Sequence, residues 1–140
     1  HAGYYMKEFV ARHLIKNGYK VKDFGTYTAE DVDYPDYAHP LGEAIDKGEY
    51  KFGLVFCGTG NGVNITVNKH QGVRSAICWN NEIAELVRRH NDANVCAVPS
   101  RFVSSNDMVK IIDCFLNTEF EGERHARRVA KIPLNKIGNV

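Results

Sequence analysis

The residues with the clearest potential for chemistry follow a short apolar segment. Phe52–Phe56 carries no charge and predicts a buried parallel strand, and Cys57 follows it directly. The next five residues form a glycine-rich loop: Gly58, Thr59, Gly60, Asn61 and Gly62. Residues 63–69 can then form a helix, and a glycine-rich turn between strand and helix leaves backbone N–H groups available to an anion. With a thiol at its edge and a hydroxyl inside it, the loop predicts chemistry on an anionic intermediate.

Three other interpretations of this loop can be compared with its glycine spacing. A dinucleotide fingerprint, G-x-G-x-x-G, needs a glycine where Val63 stands, and a P-loop needs a Gly-Lys-Ser or Gly-Lys-Thr that the sequence lacks. The third interpretation is a tight turn that packs a helix against a sheet without binding a ligand. Cys57 likewise has a structural alternative, as a buried thiol at the end of a strand. The loop alone does not choose between the tight turn and the anion site.

Length and composition indicate an ordinary globular chain. Its 140 residues predict one domain spanning 1–140 with a single core. The hydrophobic fraction of 44%, the charged fraction of 25% and the net charge of +1 predict neither a nucleic-acid partner nor binding to an anionic membrane surface. No apolar run approaches the roughly 20 residues of a membrane span. The cysteines are widely spaced and form no zinc pattern, which is typical of reduced thiols in a cytoplasmic protein: Cys57, Cys78, Cys96 and Cys114.

Helical and extended segments alternate along the chain. The extended segments are predicted as strands at residues 19–24, 52–56, 73–78 and 94–98. Helices are predicted from the periodic residues between Met6 and Leu14, after Pro35, over 63–69, after Asn80 or Asn81, after Ser104 or Ser105, and within 124–131. The alternation predicts an α/β fold, a doubly wound Rossmann-like parallel sheet with helices on both faces.

Ligands of such sheets bind beyond the carboxyl ends of the strands. The predicted topology puts Cys57 with its loop, Asn80 and the pair Ser100–Arg101 at that edge. The chain opens at His1, directly before a helix, without the strand that a βα unit needs. We therefore expect a first strand upstream of this sequence.

A set of short motifs stands in order along the whole chain. They are His1-Ala2-Gly3, Asp33-Tyr34-Pro35, Cys57–Gly62, Asn68-Lys69, Gly72-Val73-Arg74, Arg89–Asn94 and Arg124-His125 to Arg128. Together they resemble the ribose-5-phosphate isomerase type B family, which also includes the galactose-6-phosphate isomerase subunits. In that family an Asp precedes the first His at the end of the first strand, and this sequence contains neither that Asp nor that strand.

The resemblance implies aldose–ketose isomerisation of a phosphorylated sugar through an enediolate. Cys57 matches the family's catalytic thiol, and a thiolate at a helix N-terminus suits the role of base. Some relatives use a Glu after the final glycine, where this chain has Val63. Thr59 and the amides of Gly58, Gly60, Asn61 and Gly62 are expected to stabilise the enediolate oxygens. His90 matches the histidine linked to furanose opening, although a His at a helix end is also a common C-terminal cap.

The remaining predicted site residues bind the substrate. Asn91 is expected to fix substrate oxygens, and Tyr34 lines the sugar site or serves packing. Family correspondence assigns the phosphate to His1, Arg101, Arg124 and Arg128, whose alternative is a solvated basic face. Because some of these arginines reach a neighbouring subunit's site in the family, a homodimer or a dimer of dimers is expected.

The sequence implies no cofactor and no metal, since its His and acidic residues show no ligand spacing. Two alternatives to ribose 5-phosphate isomerisation stay open. One is isomerisation of a hexose 6-phosphate such as allose or galactose 6-phosphate, and the other is a non-catalytic sugar-phosphate binding module.

Overall fold

The fold is a parallel three-stranded sheet enclosed by helices. The computed structural model describes residues 3–134. Its elements in chain order are α1 (Tyr4–Lys16), α2 (Pro35–Asp46), β1 (Gly53–Cys57), α3 (Asn61–Val67), β2 (Ser75–Ile77), α4 (Asn81–Asn91), β3 (Val95–Pro99), α5 (Ser105–Asn117) and α6 (Arg124–Val129). The strand order is β1-β3-β2, and both pairings are parallel. This architecture confirms the predicted α/β class.

The central strand β3 divides the core into two layers. Its residues alternate between the two faces, as a strand's period of two requires. Val95 and Ala97 pack with side chains of α2 and α3, and Cys96 and Val98 pack with side chains of α1, α4 and α5. Every residue of β3 is buried because helices cover both faces.

The predicted starts of α2, α4, α5 and α6 are confirmed, whereas α3 begins at Asn61, two residues before the predicted segment 63–69. The structure shows the side-chain caps of α4 and α5. The Asn80 side chain accepts a hydrogen bond from the Ile83 N–H at 2.9 Å, so Asn80 is the cap of α4. The Ser104 hydroxyl accepts one from the Asp107 N–H at 3.1 Å and caps α5. Each cap satisfies a backbone donor that a helix start leaves unpaired. Pro35 occupies the first turn of α2, where its missing N–H costs no hydrogen bond.

The prediction of a strand at residues 19–24 is wrong. This segment is irregular, and a cavity of about 330 Å³ lies between it, β1, α1 and α2. A strand needs a hydrogen-bonding neighbour within about 5 Å, and this gap keeps the segment from pairing with β1. Along residues 3–134, the outer edge of β1 has no strand beside it. The alternation of apolar and polar residues therefore predicts an extended segment, but it does not show that a neighbouring strand is present to pair with it.

The last helix, α6, ends at Val129, two residues earlier than the predicted segment, and contacts α4. It is too short to be stable alone, so its position depends on that contact. No helix within residues 3–134 is both long and apolar enough to cross a membrane.

Candidate active site

The glycine loop lies at the carboxyl edge of the sheet, beside the end of β3. Cys57 is in register with Pro99, and the Cys57 carbonyl accepts a hydrogen bond from the Ser100 N–H at 2.9 Å. The Gly58 carbonyl accepts one from the Arg101 N–H at 3.0 Å. These two bonds continue the pairing of β1 and β3 past the strand ends. They hold the loop and Arg101 side by side, as the predicted topology requires.

The thiol of Cys57 faces a backbone donor of its own loop. The Gly60 N–H donates to Cys57 Sγ at 3.1 Å, and the Asn61 N–H donates to Thr59 Oγ1 at 3.2 Å. Gly60 has a left-handed φ of +77°, and a Cβ there would lie 3.3 Å from the Pro99 nitrogen. A glycine is needed at this turn for both reasons. The loop therefore presents a half-buried sulfur beside a fixed N–H donor that stabilises negative charge.

Two further glycines of the loop leave room for side chains that are predicted to bind the substrate. A Cβ on Gly58 would lie 2.9 Å from Arg101 Nε, and a Cβ on Gly62 would lie 2.5 Å from Tyr34 Cζ. The Arg101 and Tyr34 side chains therefore lie directly over the loop, and both are exposed. The carboxyl edge thus brings together Cys57 with its loop, an arginine and a phenol ring.

His90 and Asn91 lie at the opposite, amino edge of the sheet. Helix α4 runs back from the carboxyl edge and ends at Asn91. The next residue, Asp92, accepts a hydrogen bond through its carbonyl from Arg74 Nε at 2.8 Å, just before β2 begins. The Asn94 carbonyl accepts one from the first N–H of β1 at 2.9 Å. These contacts place the end of α4 where the strands start.

Helix α6 adds its basic residues to the same edge. The His125 ring stacks on the His90 ring with centroids 4.4 Å apart and planes 17° apart. Glu121 Oε2 lies 3.0 Å from Arg89 Nη2 and 4.0 Å from His90 Nε2. Arg124 and Arg128 are exposed on α6 beside this stack. We call His90, Glu121 and His125 the histidine cluster.

The predicted site residues therefore form two groups that one chain does not bring together. Five-residue β3 spans about 13 Å between the two edges at 3.3 Å per residue. The sheet and its helices fill the space between them. Cys57, Thr59, Tyr34 and Arg101 share the carboxyl edge, and His90, Asn91, Arg124 and Arg128 share the amino edge. His1 lies outside the described residues, although Gly3 packs against Phe56, next to Cys57.

His125 stands in one of the motifs behind the family resemblance, but the sequence analysis gave it no role in the site. It stands among arginines, so the segment has the composition of a solvated helix, yet the residue is only 6% exposed. Burial lowers the pKa of His125, and the neighbouring His90, Arg124 and Arg128 lower it further against an opposing effect of Glu121. Its Nε2 is buried without a hydrogen-bond partner. No sequence signal marks this burial, because it arises only when α6 folds against α4.

The histidine cluster also offers three potential metal ligands. Their ligand atoms lie within 4.8 Å of one another. A metal ion lies near the plane of each imidazole that binds it, and planes stacked at 17° do not meet at a shared ion next to both rings. Metal binding would therefore require one ring to rotate and the stack to break. As arranged, the cluster brings two imidazoles and a carboxylate together at the amino edge.

Comparison with known proteins identifies the family. Residues 1–132 match the family described as Ribose/Galactose Isomerase. Ribose-5-phosphate isomerase B of Escherichia coli K12 is 40% identical over 132 residues, covering 94% of this chain and 89% of that protein. The Clostridium thermocellum ribose-5-phosphate isomerase B structure is 46% identical with a TM-score of 0.92, covering 94% of this chain and 88% of that one.

A third relative carries a ligand. The Mycoplasma genitalium ribose-5-phosphate isomerase B structure contains bound ribulose-5-phosphate. It is 38% identical with a TM-score of 0.90, and the match covers 94% of this chain and 88% of that one. The motifs, the fold and these matches over almost the full length agree, and this chain belongs to the ribose/galactose isomerase family.

Proposed function

We propose that this protein interconverts ribose 5-phosphate and ribulose 5-phosphate through an enediolate, with Cys57 as the base. The observation that carries the proposal is the Cys57 thiol held 3.1 Å from the Gly60 N–H, in a loop whose Gly58 and Gly62 lie against Arg101 and Tyr34. A binding module would need the arginine and the loop amides but not the thiol. Relatives named ribose-5-phosphate isomerase B, one of them with bound ribulose-5-phosphate, support the same substrate.

The isomerisation moves one proton between two carbons. Cys57 thiolate removes the proton from C2 of the open-chain aldose, and the electron pair forms a C1–C2 double bond with negative charge on O1. Thr59 and the loop donors stabilise that charge. The O2 proton then passes to O1, the Cys57 thiol returns its proton to C1, and C2 becomes the ketone. The thiolate is regenerated, so no electrons are exchanged with another reagent.

Ribose 5-phosphate is a furanose in water and must open before this step. His90 gives a proton to the ring oxygen O4 as the C1–O4 bond breaks, and the proton lost by O1 restores His90. Ribulose 5-phosphate cannot form a furanose because its O5 carries the phosphate. The two substrates therefore differ in their need for His90, which makes its role measurable.

Because Cys57 and His90 lie at opposite edges of one chain, we propose that the working site forms between two copies. One copy supplies Cys57, Thr59, Tyr34 and Arg101, and the other supplies His90, Asn91, Arg124 and Arg128. The arginines provide the forked donors that a phosphate favours. A homodimer, alone or within a dimer of dimers, is the smallest assembly that completes this site.

Free thiols support a reducing environment for the protein. All cysteines are unpaired, and Cys78 and Cys96 are fully buried. We propose a cytoplasmic location on this basis.

An isomerase assay with several substrates tests the proposed function. We expect turnover of ribose 5-phosphate in both directions, and weaker turnover of allose 6-phosphate and galactose 6-phosphate. Faster turnover of a hexose phosphate would reassign the substrate within the family. Tight binding of ribulose 5-phosphate without turnover of any sugar would contradict the enzyme and favour a binding module.

A further inference from the structure

We propose that His125 and Glu121 are positioning residues that hold the His90 ring in the orientation that opens the furanose. This inference rests on the proposed function and deepens it, because it assigns a purpose to two residues that do not need to touch the substrate. Its basis is the geometry of the histidine cluster.

The stacked His125 ring restricts the movement of the His90 ring on one of its faces. The His125 ring lies 4.4 Å from the His90 ring with planes only 17° apart. His125 is itself held in place, since the residue is only 6% exposed and its helix packs on α4. His90 is half-buried, so without this neighbour its χ2 angle would be free to vary. A flat, buried ring therefore sets the plane in which the His90 nitrogens lie.

Glu121 places a carboxylate on the Nε2 side of the His90 ring. Its Oε2 lies 4.0 Å from His90 Nε2, and the same oxygen accepts a hydrogen bond from Arg89 Nη2 at 3.0 Å. The Glu121 N–H also donates to the Arg89 carbonyl at 3.0 Å, which ties this segment to the last turn of α4. With Nε2 turned toward the carboxylate, Nδ1 is the nitrogen left to face the sugar.

Burial and the charges around the cluster lower the pKa of His125. The groups that face His125 are His90 from α4, Glu121 from the preceding loop, and Arg124 and Arg128 from α6. The arginines and the buried position oppose a charge on His125. The Glu121 carboxylate lies on the Nε2 side of the half-buried His90 ring. The cluster thus places a ring that disfavours a positive charge, His125, against the face of the His90 ring.

The orientation of the His90 ring should affect the rate of ring opening, because proton transfer requires close alignment with the reacting atoms. A displacement of about 1 Å can cost about 10²-fold in rate. A purely structural role for His125 would weaken both chemical steps together, through loss of the fold or of the subunit interface. A positioning role weakens ring opening alone.

The test compares two reactions of the same variants. Conversion of ribose 5-phosphate requires ring opening, whereas uptake of solvent deuterium at C1 of ribulose 5-phosphate requires only the enediolate step. We expect His125→Ala to slow conversion about 10–100-fold while deuterium uptake stays within about threefold of wild type. His125→Phe keeps a flat ring in the stack, and it should retain most of the conversion rate.

Glu121 has a matched control in Glu85, which contacts Arg89 Nη1 at 3.2 Å and does not contact His90. Glu121→Gln should slow ring opening selectively, and Glu85→Gln should leave both reactions unchanged. Equal losses in both reactions for His125→Ala, no loss in either, or a loss with His125→Phe as large as with His125→Ala would overturn the role of His125. Identical behaviour of Glu121→Gln and Glu85→Gln would overturn the role of Glu121.

These outcomes are distinct from failure of the proposed function. Wild-type protein that neither converts ribose 5-phosphate nor exchanges the C1 proton would contradict isomerase activity itself. Wild-type protein that does both, with variants that follow the wrong pattern, contradicts only the positioning role.

Discussion

The backbone N–H of Gly60 donates a hydrogen bond to Cys57 Sγ at 3.1 Å, and the left-handed conformation of Gly60 makes this contact possible. The thiol proposed as the base and the N–H that donates to it therefore belong to a single turn. A side chain at position 60 would disturb both the turn and the end of β3, because its Cβ would approach the Pro99 nitrogen. The reactivity of the thiol and the local backbone are thus linked.

Replacing Cys57 with Ala should abolish proton abstraction while sparing the fold. Loss of one positioned acid–base group typically costs about 10²–10⁴-fold in turnover. Thermal unfolding and binding of ribulose 5-phosphate should change little, because the thiol is only half-buried. Cys114→Ala is the control, since Cys114 is also a half-buried free thiol but lies on α5 away from the loop. Near-normal turnover of purified Cys57→Ala would remove Cys57 from the role of base.

Replacing Gly62 with Ala should weaken substrate binding more than stability. The new Cβ would lie 2.5 Å from Tyr34 Cζ, but Tyr34 is 45% exposed and its ring can swing outward. We expect a raised KM for ribose 5-phosphate with a melting temperature close to wild type. In a double-mutant cycle, Gly62→Ala combined with Tyr34→Ala should add little to the effect of Tyr34→Ala alone. Fully additive effects would place Tyr34 outside the sugar site.

Most of the carboxyl-edge group could be predicted from the sequence alone, whereas Tyr34 was named only through the family motif. Cys57 and the loop are contiguous, and strand order in a parallel sheet brings Arg101 to the same edge. The buried stack of His125 on His90 could not be predicted, since it depends on how a short helix folds back on α4. The prediction of a strand at residues 19–24 was wrong for a related reason. Its alternation suits a strand, but only a neighbouring strand, absent among the described residues, would make it one.

Replacing His90 with Asn should separate ring opening from isomerisation. Asn keeps a polar side chain at the end of α4 but cannot carry a proton between O1 and O4. We expect conversion of ribose 5-phosphate to fall about 10²-fold or more, with deuterium exchange into ribulose 5-phosphate largely retained. Stopped-flow kinetics and NMR measure the two rates. Equal losses would mean that His90 serves folding or general binding.

Protonation of His125 should make the protein less stable in mild acid. Its pKa lies below the ordinary value of 6.5, so the unfolded chain binds this proton at a higher pH than the folded chain does. The unfolding free energy should therefore fall as the pH drops from about 6.5 through the lowered pKa. Denaturant titrations from about pH 8 to pH 5 measure it. His125→Phe, which cannot titrate, should show a flatter dependence, and an unchanged slope would contradict this source of acid sensitivity.

Mixing inactive variants from opposite edges should restore activity. If each site combines the carboxyl edge of one copy with the amino edge of another, Cys57→Ala subunits and Arg128→Ala subunits form mixed dimers with one intact site. Random exchange makes half the dimers mixed, with one of two sites intact, so about a quarter of wild-type activity should return. A mixture of Cys57→Ala and His90→Asn subunits should recover activity to a similar extent.

A same-edge pair provides the control for that experiment. Cys57→Ala and Arg101→Ala both damage the carboxyl edge, so every site of their mixed dimer contains one defect and no activity should return. Subunit exchange is verified independently, for example by mass spectrometry of differently labelled copies. Absence of recovery with Arg128→Ala despite confirmed exchange would place Arg128 in its own subunit's site or outside any site. A monomer in solution that still turns over ribose 5-phosphate would contradict the shared site, because His90 and Cys57 of one chain face opposite edges of its sheet.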